Sequence, residues 1–320
     1  MNVFTTILLF VIGIVFVVKG GDYFVDAASW IAEVSGIPKL IIGATIVSVA
    51  TTLPEMLVSV MAAVQGKVDM SIGNAVGSVT ANLGLIMAIS LICMPGMIKR
   101  KDYFLKSILM LFAALVIVLC GFSREINLIF SCVLIVIFVI FFGDSISEAK
   151  KAVTTSRNKA KAKKRLEKKV ILINIIKFVV GAAGIVWGAD LLVDNGSELA
   201  RLVGVSERII GVTLVAVGTS LPELITTITA IVKKQSALSV GNIIGANIMD
   251  LTLIMPLSAL ISGQALPISD ASAMIDLPAC LLVGLIAIVP ALLFSKFGRW
   301  QGFALLGVYA CYVVITCVGI

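Results

Sequence analysis

The sequence predicts an all-α membrane protein of ten transmembrane helices, arranged as two inverted five-helix repeats. Three observations predict it: a composition too apolar for water, ten apolar stretches of spanning length, and an internal duplication without gaps. Of the 320 residues, 60% are hydrophobic and 13% charged, with a mean hydropathy of +1.14. A soluble domain carries roughly 25% charged residues. So little polar surface cannot cover a fold exposed to water. Histidine is absent, which excludes histidine triads, histidine bases and histidine metal ligands. The six cysteines form no CxxC pair and fall in or beside apolar stretches. They read as small buried thiols, not as a zinc site or disulfide frame.

A spanning helix needs ~20 mostly apolar residues. The stretches, in order, are 2–20, 40–65, 70–95, 104–121, 126–144, 171–193, 208–232, 237–262, 273–295 and 300–319. The first begins Met1-Asn2-Val3, with no basic leader and no small-residue cleavage site, so it reads as a span and not a signal peptide. The runs are continuously apolar and do not alternate, which excludes a β-barrel. Cationic residues collect after spans one, three, five, seven and nine, as Lys99-Arg100-Lys101, Lys233-Lys234 and Lys296 with Arg299. The segment 150–169 is the most basic of all, and the other side has only Lys67, Arg124, Arg201 and Arg208. Both termini are therefore expected outside the cell membrane, with loop 150–169 cytoplasmic. Contact with the lipid bilayer and its anionic headgroups explains that loop more simply than nucleic acid, which is not expected as a partner.

Residues 22–85 repeat at 190–253 with a constant offset of 168. Asp22 and Asp26 match Asp190 and Asp194, and Gly43-Ala44-Thr45 matches Gly211-Val212-Thr213. Thr51-Thr52-Leu53-Pro54-Glu55 matches Thr219-Ser220-Leu221-Pro222-Glu223, and Gly73-Asn74 matches Gly241-Asn242. Apolar bias alone does not align Pro, Glu, Asn and Gly in register. Five spans separate equivalent points, so the halves sit in opposite orientations. Inverted repeats are a hallmark of secondary transporters, with the substrate site near the midplane. The expected division is 1–145 for the first half, 146–170 for the basic linker and 171–320 for the second half.

Glu55 and Glu223 fall near the middle of spans two and seven. A charge at that depth costs about 2.5–3.5 kcal/mol on insertion scales. Each follows a proline and two hydroxyl residues: Thr51 and Thr52 in the first half, Thr219 and Ser220 in the second. Proline removes a backbone donor, so the helix is expected to loosen near Val47–Thr51 and Val215–Thr219 and to turn carbonyls inward. Spans three and eight add Ser78 and Asn82, four residues apart on one face, and Asp250, the repeat mate of Asn82. The donor set is all oxygen. Soft metals favour Cys or His, whereas Ca²⁺ takes 6–8 oxygens in irregular geometry. Two glutamates neutralise one Ca²⁺, and the same oxygens suit several Na⁺ ions.

Here the sequence resembles the cation/calcium exchanger superfamily, specifically the prokaryotic sodium/calcium exchangers, through Thr-(Thr/Ser)-Leu-Pro-Glu and Gly-Asn-x-x-Gly in both halves. The resemblance implies an antiporter, not an enzyme, that exchanges Na⁺ for Ca²⁺ by alternating access. It implies no cofactor and is compatible with a monomer. Carried over, Glu55 and Glu223 match the paired calcium ligands, and the carbonyls of Thr51 and Thr219 match its backbone ligands. Thr52, Ser220 and Ser78 match positions lining the sodium sites, and Asn82 and Asp250 the polar pair between them. Ser48 and its repeat mate Ala216 complete the expected ion-binding set. Spans one and six are expected to slide and gate. Ala50 and Ala246 stand where the family has Gly and Ser, and the second change removes a hydroxyl from the outer sodium site. Gly77 and Gly245 match the sodium branch, not the proton branch, which has Glu there. Electrogenic Ca²⁺ extrusion is the expected activity. A K⁺-dependent or H⁺-driven exchanger stays open as an alternative, with a cation channel further off.

Overall fold

The computed structural model describes residues 3–97, 100–159, 168–202, 204, 218–263 and 265–318. The fold is helical: α1 (Val3–Ser35), α2 (Lys39–Val64), α3 (Val68–Cys93), α4 (Arg100–Ser123), α5 (Leu128–Lys159) and α6 (Lys168–Leu202). Then come α7 (Leu221–Val232), α8 (Ser236–Ile261), α9 (Ser272–Phe294) and α10 (Arg299–Val318). Among the described residues, eight helices are long and apolar enough to cross a membrane. Large apolar side chains stay exposed along them, among them Phe4, Leu8, Val15 and Phe122. Water would not tolerate such a surface, and lipid does.

Contacts divide the chain into two compact units, each drawing on both halves of the sequence. The first comprises Met1–Thr51 and Phe142–Asn242. Its frame is α1 packed along α6. The two backbones touch through glycines: Gly13 and Gly20 are buried on α1, and Gly181 and Gly188 on α6. A Cβ on Gly181 would lie 2.6 Å from Phe24 N, and one on Gly188 would lie 2.8 Å from Val17 N. Helices in lipid gain little from apolar burial, so close backbone approach through small residues carries the association. Phe24 fills the space beside the glycines, with its ring centroid 4.6 Å from that of Phe178. The start of α2 crosses the start of α8 equally closely, because a side chain on Gly43 would strike Leu238 O and one on Gly241 would strike Leu40 O.

The second unit comprises Thr52–Phe141 and Ile243–Ile320. Here α9 packs on α4, and α10 packs on the end of α3. Two short antiparallel pairs join its loops: Gly96–Met97 with Lys296–Phe297, and Glu125–Ile126 with Leu266–Pro267. Inside α3 and α8 the backbone widens into π-turns at Asn82–Met87 and Asp250–Ile254. Their first residues stand 168 apart, the offset of the sequence repeat. Such π-turns are rare and collect at functional sites.

Several helices exceed the expected spans. α1 runs on to Ser35 and α6 starts at Lys168 and ends at Leu202. Hydropathy falls at Lys19, Asp22 and Asp194, yet helix-forming residues continue, and packing against a partner sustains the helix.

Candidate cation site

In the first unit, α2 approaches Thr51 by way of a π-turn at Gly43–Val47, followed by Ser48–Val64 as one α-helix with Pro54 inside it. The expected break near Val47–Thr51 is thus a widened turn just upstream. Three hydroxyls one turn apart explain how the backbone tolerates this. Thr45 Oγ1 donates to Ile41 O at 2.7 Å, Ser48 Oγ to Thr45 O at 3.1 Å, and Thr51 Oγ1 to Ser48 O at 3.3 Å. Hydroxyls that donate back along a helix take over carbonyls the ladder has lost. The second half behaves differently. Thr219 and Ser220 lie in a turn, and α7 begins at Leu221. Pro222 therefore occupies the first turn of a helix, where its missing N–H costs nothing. Ala216, expected in the ion-binding set, and the stretch Val215–Val217 lie outside the described residues.

Glu223 is fully buried, as are Ser48 and Ser220. Thr51 is buried, and Thr219 is half-buried. Asn242 ties α8 to its neighbours, receiving Thr51 Oγ1 on its Oδ1 at 3.2 Å and donating its Nδ2 to Thr226 Oγ1 at 3.0 Å. Thr226 Oγ1 in turn lies 2.9 Å from both Pro222 O and Glu223 O. The carboxylate-bearing turn of α7 is thereby fixed to α8. Thr219 Oγ1 and Ser220 Oγ are buried with no hydrogen-bond partner among the described residues. A buried hydroxyl left so costs about 1–3 kcal/mol, which a cation ligated by its oxygen would offset.

In the second unit, Glu55 and Asp250 are each 1% exposed, and Thr52, Ser78 and Asn82 are also buried. Asn74 plays the part of Asn242, donating to Ser59 Oγ at 2.9 Å and to Glu55 O at 3.3 Å. Asn82 Nδ2 donates to Asn247 Oδ1 at 3.0 Å. That bond leaves Asn82 Oδ1 and Ser78 Oγ buried without a hydrogen-bond partner among the described residues. Asn82 and Asp250 each open a π-turn, where the loosened backbone sets the side chain at the edge of a widened turn. Oxygens of four kinds are therefore present: carboxylate, hydroxyl, amide and carbonyl. All suit hard cations.

Several buried polar residues beside these positions stand outside the expected set. Asn74 and Asn242 stand in the sequence only as parts of the Gly-Asn motifs, and the repetition of those motifs is their signal. Ser59 and Thr226 carry no sequence signal above background, and Asn247 stands at the end of the second Gly-Asn motif, three residues before Asp250. Asp276 is an additional acid within a spanning helix, opening no motif, and its Oδ1 accepts a hydrogen bond from Tyr312 OH at 3.0 Å.

Apolar spanning helices with buried acids, hydroxyls and amides define a membrane cation transporter. The model of the family described as sodium/calcium exchanger protein matches residues 5–143 and 173–318. The chain belongs to that family, whose members are exchangers and not enzymes. Among its relatives, the sodium/calcium exchanger MaX1 of Methanosarcina acetivorans is 30% identical over 348 aligned residues, covering 96% of this chain and 97% of that protein. An uncharacterized membrane protein of Methanocaldococcus jannaschii, MJ0091, is 31% identical over 309 residues, covering 94% of each. A structure of the sodium-calcium exchanger NCX_Mj, soaked with 2.5 mM Na⁺ and 0.1 mM Sr²⁺, superposes with a TM-score of 0.81 at 27% identity, covering 98% of this chain and 99% of that one.

Proposed function

We propose that this chain is an electrogenic antiporter that extrudes Ca²⁺ against inward Na⁺. One observation carries the reading. A Pro-Glu dipeptide preceded by two hydroxyl residues occurs twice, 168 residues apart, and both glutamates are buried. A lone intramembrane carboxylate is a liability; a repeated one beside hydroxyl oxygens is a cation ligand. Glu55 and Glu223 are the proposed calcium ligands, with the carbonyls of Thr51 and Thr219. Thr52, Ser220, Ser78, Ser48, Asn82 and Asp250 are the proposed further ligands, shared with sodium. Residues 1–145 and 171–320 form the two inverted five-helix halves in this account. The ten spans place both termini outside and the basic segment 150–169 in the cytoplasm. The sodium/calcium exchangers it resembles support the choice of ions.

Without cations, the buried carboxylates concentrate negative charge in a low-dielectric passage, which disfavours switching between outward and inward access. Loading either with one Ca²⁺ or with several Na⁺ relieves that penalty, which makes the cycle an exchange and not a leak. Unequal total charge on the two ion loads makes it electrogenic. In proteoliposomes loaded with sodium and clamped with a potassium diffusion potential, ⁴⁵Ca uptake should rise when the interior is made positive, because more positive charge leaves with sodium than enters with calcium. Uptake that responds to the sodium gradient but ignores the potential refutes electrogenic exchange. The buried Asp250 favours one second reading, a K⁺-dependent exchanger. Uptake that needs potassium on the calcium side, and loses that need in Asp250→Asn, selects it.

A further inference from the structure

The loop between α9 and α10 is firmly built. Ser295, in the left-handed region at φ 51°, turns the chain out of α9. Lys296 and Phe297 then pair antiparallel with Met97 and Gly96. Phe297 is buried and meets the Tyr103 ring edge-on, with centroids 5.3 Å apart. Gln301 is 1% exposed. Its Oε1 accepts from Gly298 N at 2.9 Å, and its Nε2 lies 3.3 Å from Ile286 O and 3.4 Å from Ala287 O on α9. The loop is therefore pinned at Phe297 and again at Gln301. Arg299 lies between these pins and Lys296, itself paired with Met97, lies just before the first, so both cations have a fixed base.

This base frames a cavity of about 830 Å³ whose lining includes Pro95, Phe294, Lys296, Arg299, Trp300 and Gln301. No ion pair of Lys296 or Arg299 is found among the described residues. Two cations thus flank one cavity, and no acid pairs with either among the described residues. Trp300 and Phe294 are 56% and 68% exposed. All of this sits where α9 ends and α10 begins, which in the span layout proposed above is the boundary between hydrocarbon and water. Tryptophan favours that boundary, and basic pockets there attract anionic lipid headgroups. A cation would be repelled, and a soluble anion would have no use for the exposed rings. An anionic headgroup with acyl chains attached uses both features.

We propose that this cavity binds an anionic glycerophospholipid, with the phosphodiester engaged by Lys296 and Arg299 and an acyl chain lying over Phe294. Its assignment to the cytoplasmic leaflet rests on the orientation proposed above; the binding itself does not.

The test uses the purified full chain in neutral detergent, titrated with phosphatidylglycerol or phosphatidylcholine, with bound lipid counted by native mass spectrometry. Phosphatidylglycerol should bind preferentially. The double variant Lys296→Gln/Arg299→Gln should lose roughly thirty-fold in affinity, from the attraction of two cations near an anionic group. Lys67→Gln, remote in the chain, should lose none. Equal melting temperatures in phosphatidylcholine would show that the double variant folds. If it does not fold, the preference of the wild type for phosphatidylglycerol decides alone. Equal binding of the two lipids overturns the proposal. So does an undiminished affinity in a folded double variant, or displacement of the lipid by millimolar inorganic phosphate, which would mark a simple anion site. None of these readouts depends on ion flux, so the exchange reading stands or falls separately.

Discussion

Replacing Gly20 with alanine should push α1 away from α6. A Cβ there would lie 2.8 Å from Gly181 O and from Ile185 N, and 3.0 Å from Gly184 C. Ordinary contact begins at 3.4 Å, so one helix must retreat by about 0.6 Å. All three obstacles are backbone atoms, which cannot rotate aside as a side chain would. Overpacking of this kind costs about 1–3 kcal/mol. For a chain of this size that corresponds to a melting temperature lower by roughly 2–10 °C. The assay is thermal unfolding of the purified protein in detergent, followed by tryptophan fluorescence. Gly307→Ala on α10 is the internal control, because a Cβ there meets nothing within 4 Å among the described residues. Removing a helical glycine in open space should stabilise by about 0.5–1 kcal/mol. If Gly20→Ala melts with or above Gly307→Ala, α1 and α6 do not touch through their backbones, and the reasoning fails.

Asn242→Ala should lower stability by about 1–3 kcal/mol in chemical unfolding, because it deletes two buried hydrogen bonds, to Thr51 and Thr226. An unchanged midpoint would show that these bonds hold nothing. Lys233 pairs with Asp26 at 2.8 Å and Asp22 at 3.2 Å, tying the end of α7 to α1. Lys233→Gln should cost about 1 kcal/mol or less, since the partners are partly exposed, and the cost should vanish in concentrated choline chloride. A salt-independent loss would point to packing instead. Ala246→Ser restores a hydroxyl expected at a sodium site, so half-maximal sodium for ⁴⁵Ca exchange should fall by several-fold. An unaltered sodium dependence would remove Ala246 from that site.

Hydropathy made the spans readable because lipid demands ~20 apolar residues whatever the fold. The duplication was readable because Pro, Glu and Asn in register have no compositional cause. Those same residues marked Glu55, Glu223 and Asp250, and all three are buried. Other features lay beyond pattern reading. The extension of α1 to Ser35 depends on its contact with α6, and nothing in 22–35 alone reports a partner. The two Pro-Glu motifs predict one local outcome, yet Pro54 sits inside a continuous helix and Pro222 starts one. On α2 the hydroxyls of Thr45, Ser48 and Thr51 donate backward, and a hydroxyl's choice of acceptor is not written in its spacing. Asn74 and Asn242 act as ties between helices, a role visible only once the helices are placed.

The central claim is that a chain with these paired glutamates couples sodium to calcium. It is met most directly by ⁴⁵Ca uptake into proteoliposomes under an outward sodium gradient, compared among wild type, Glu55→Gln and Glu223→Gln. The account predicts rapid uptake in the wild type, none when choline replaces internal sodium, and none in either variant. Calcium entry that persists without the sodium gradient, or in a folded variant lacking either carboxylate, contradicts it.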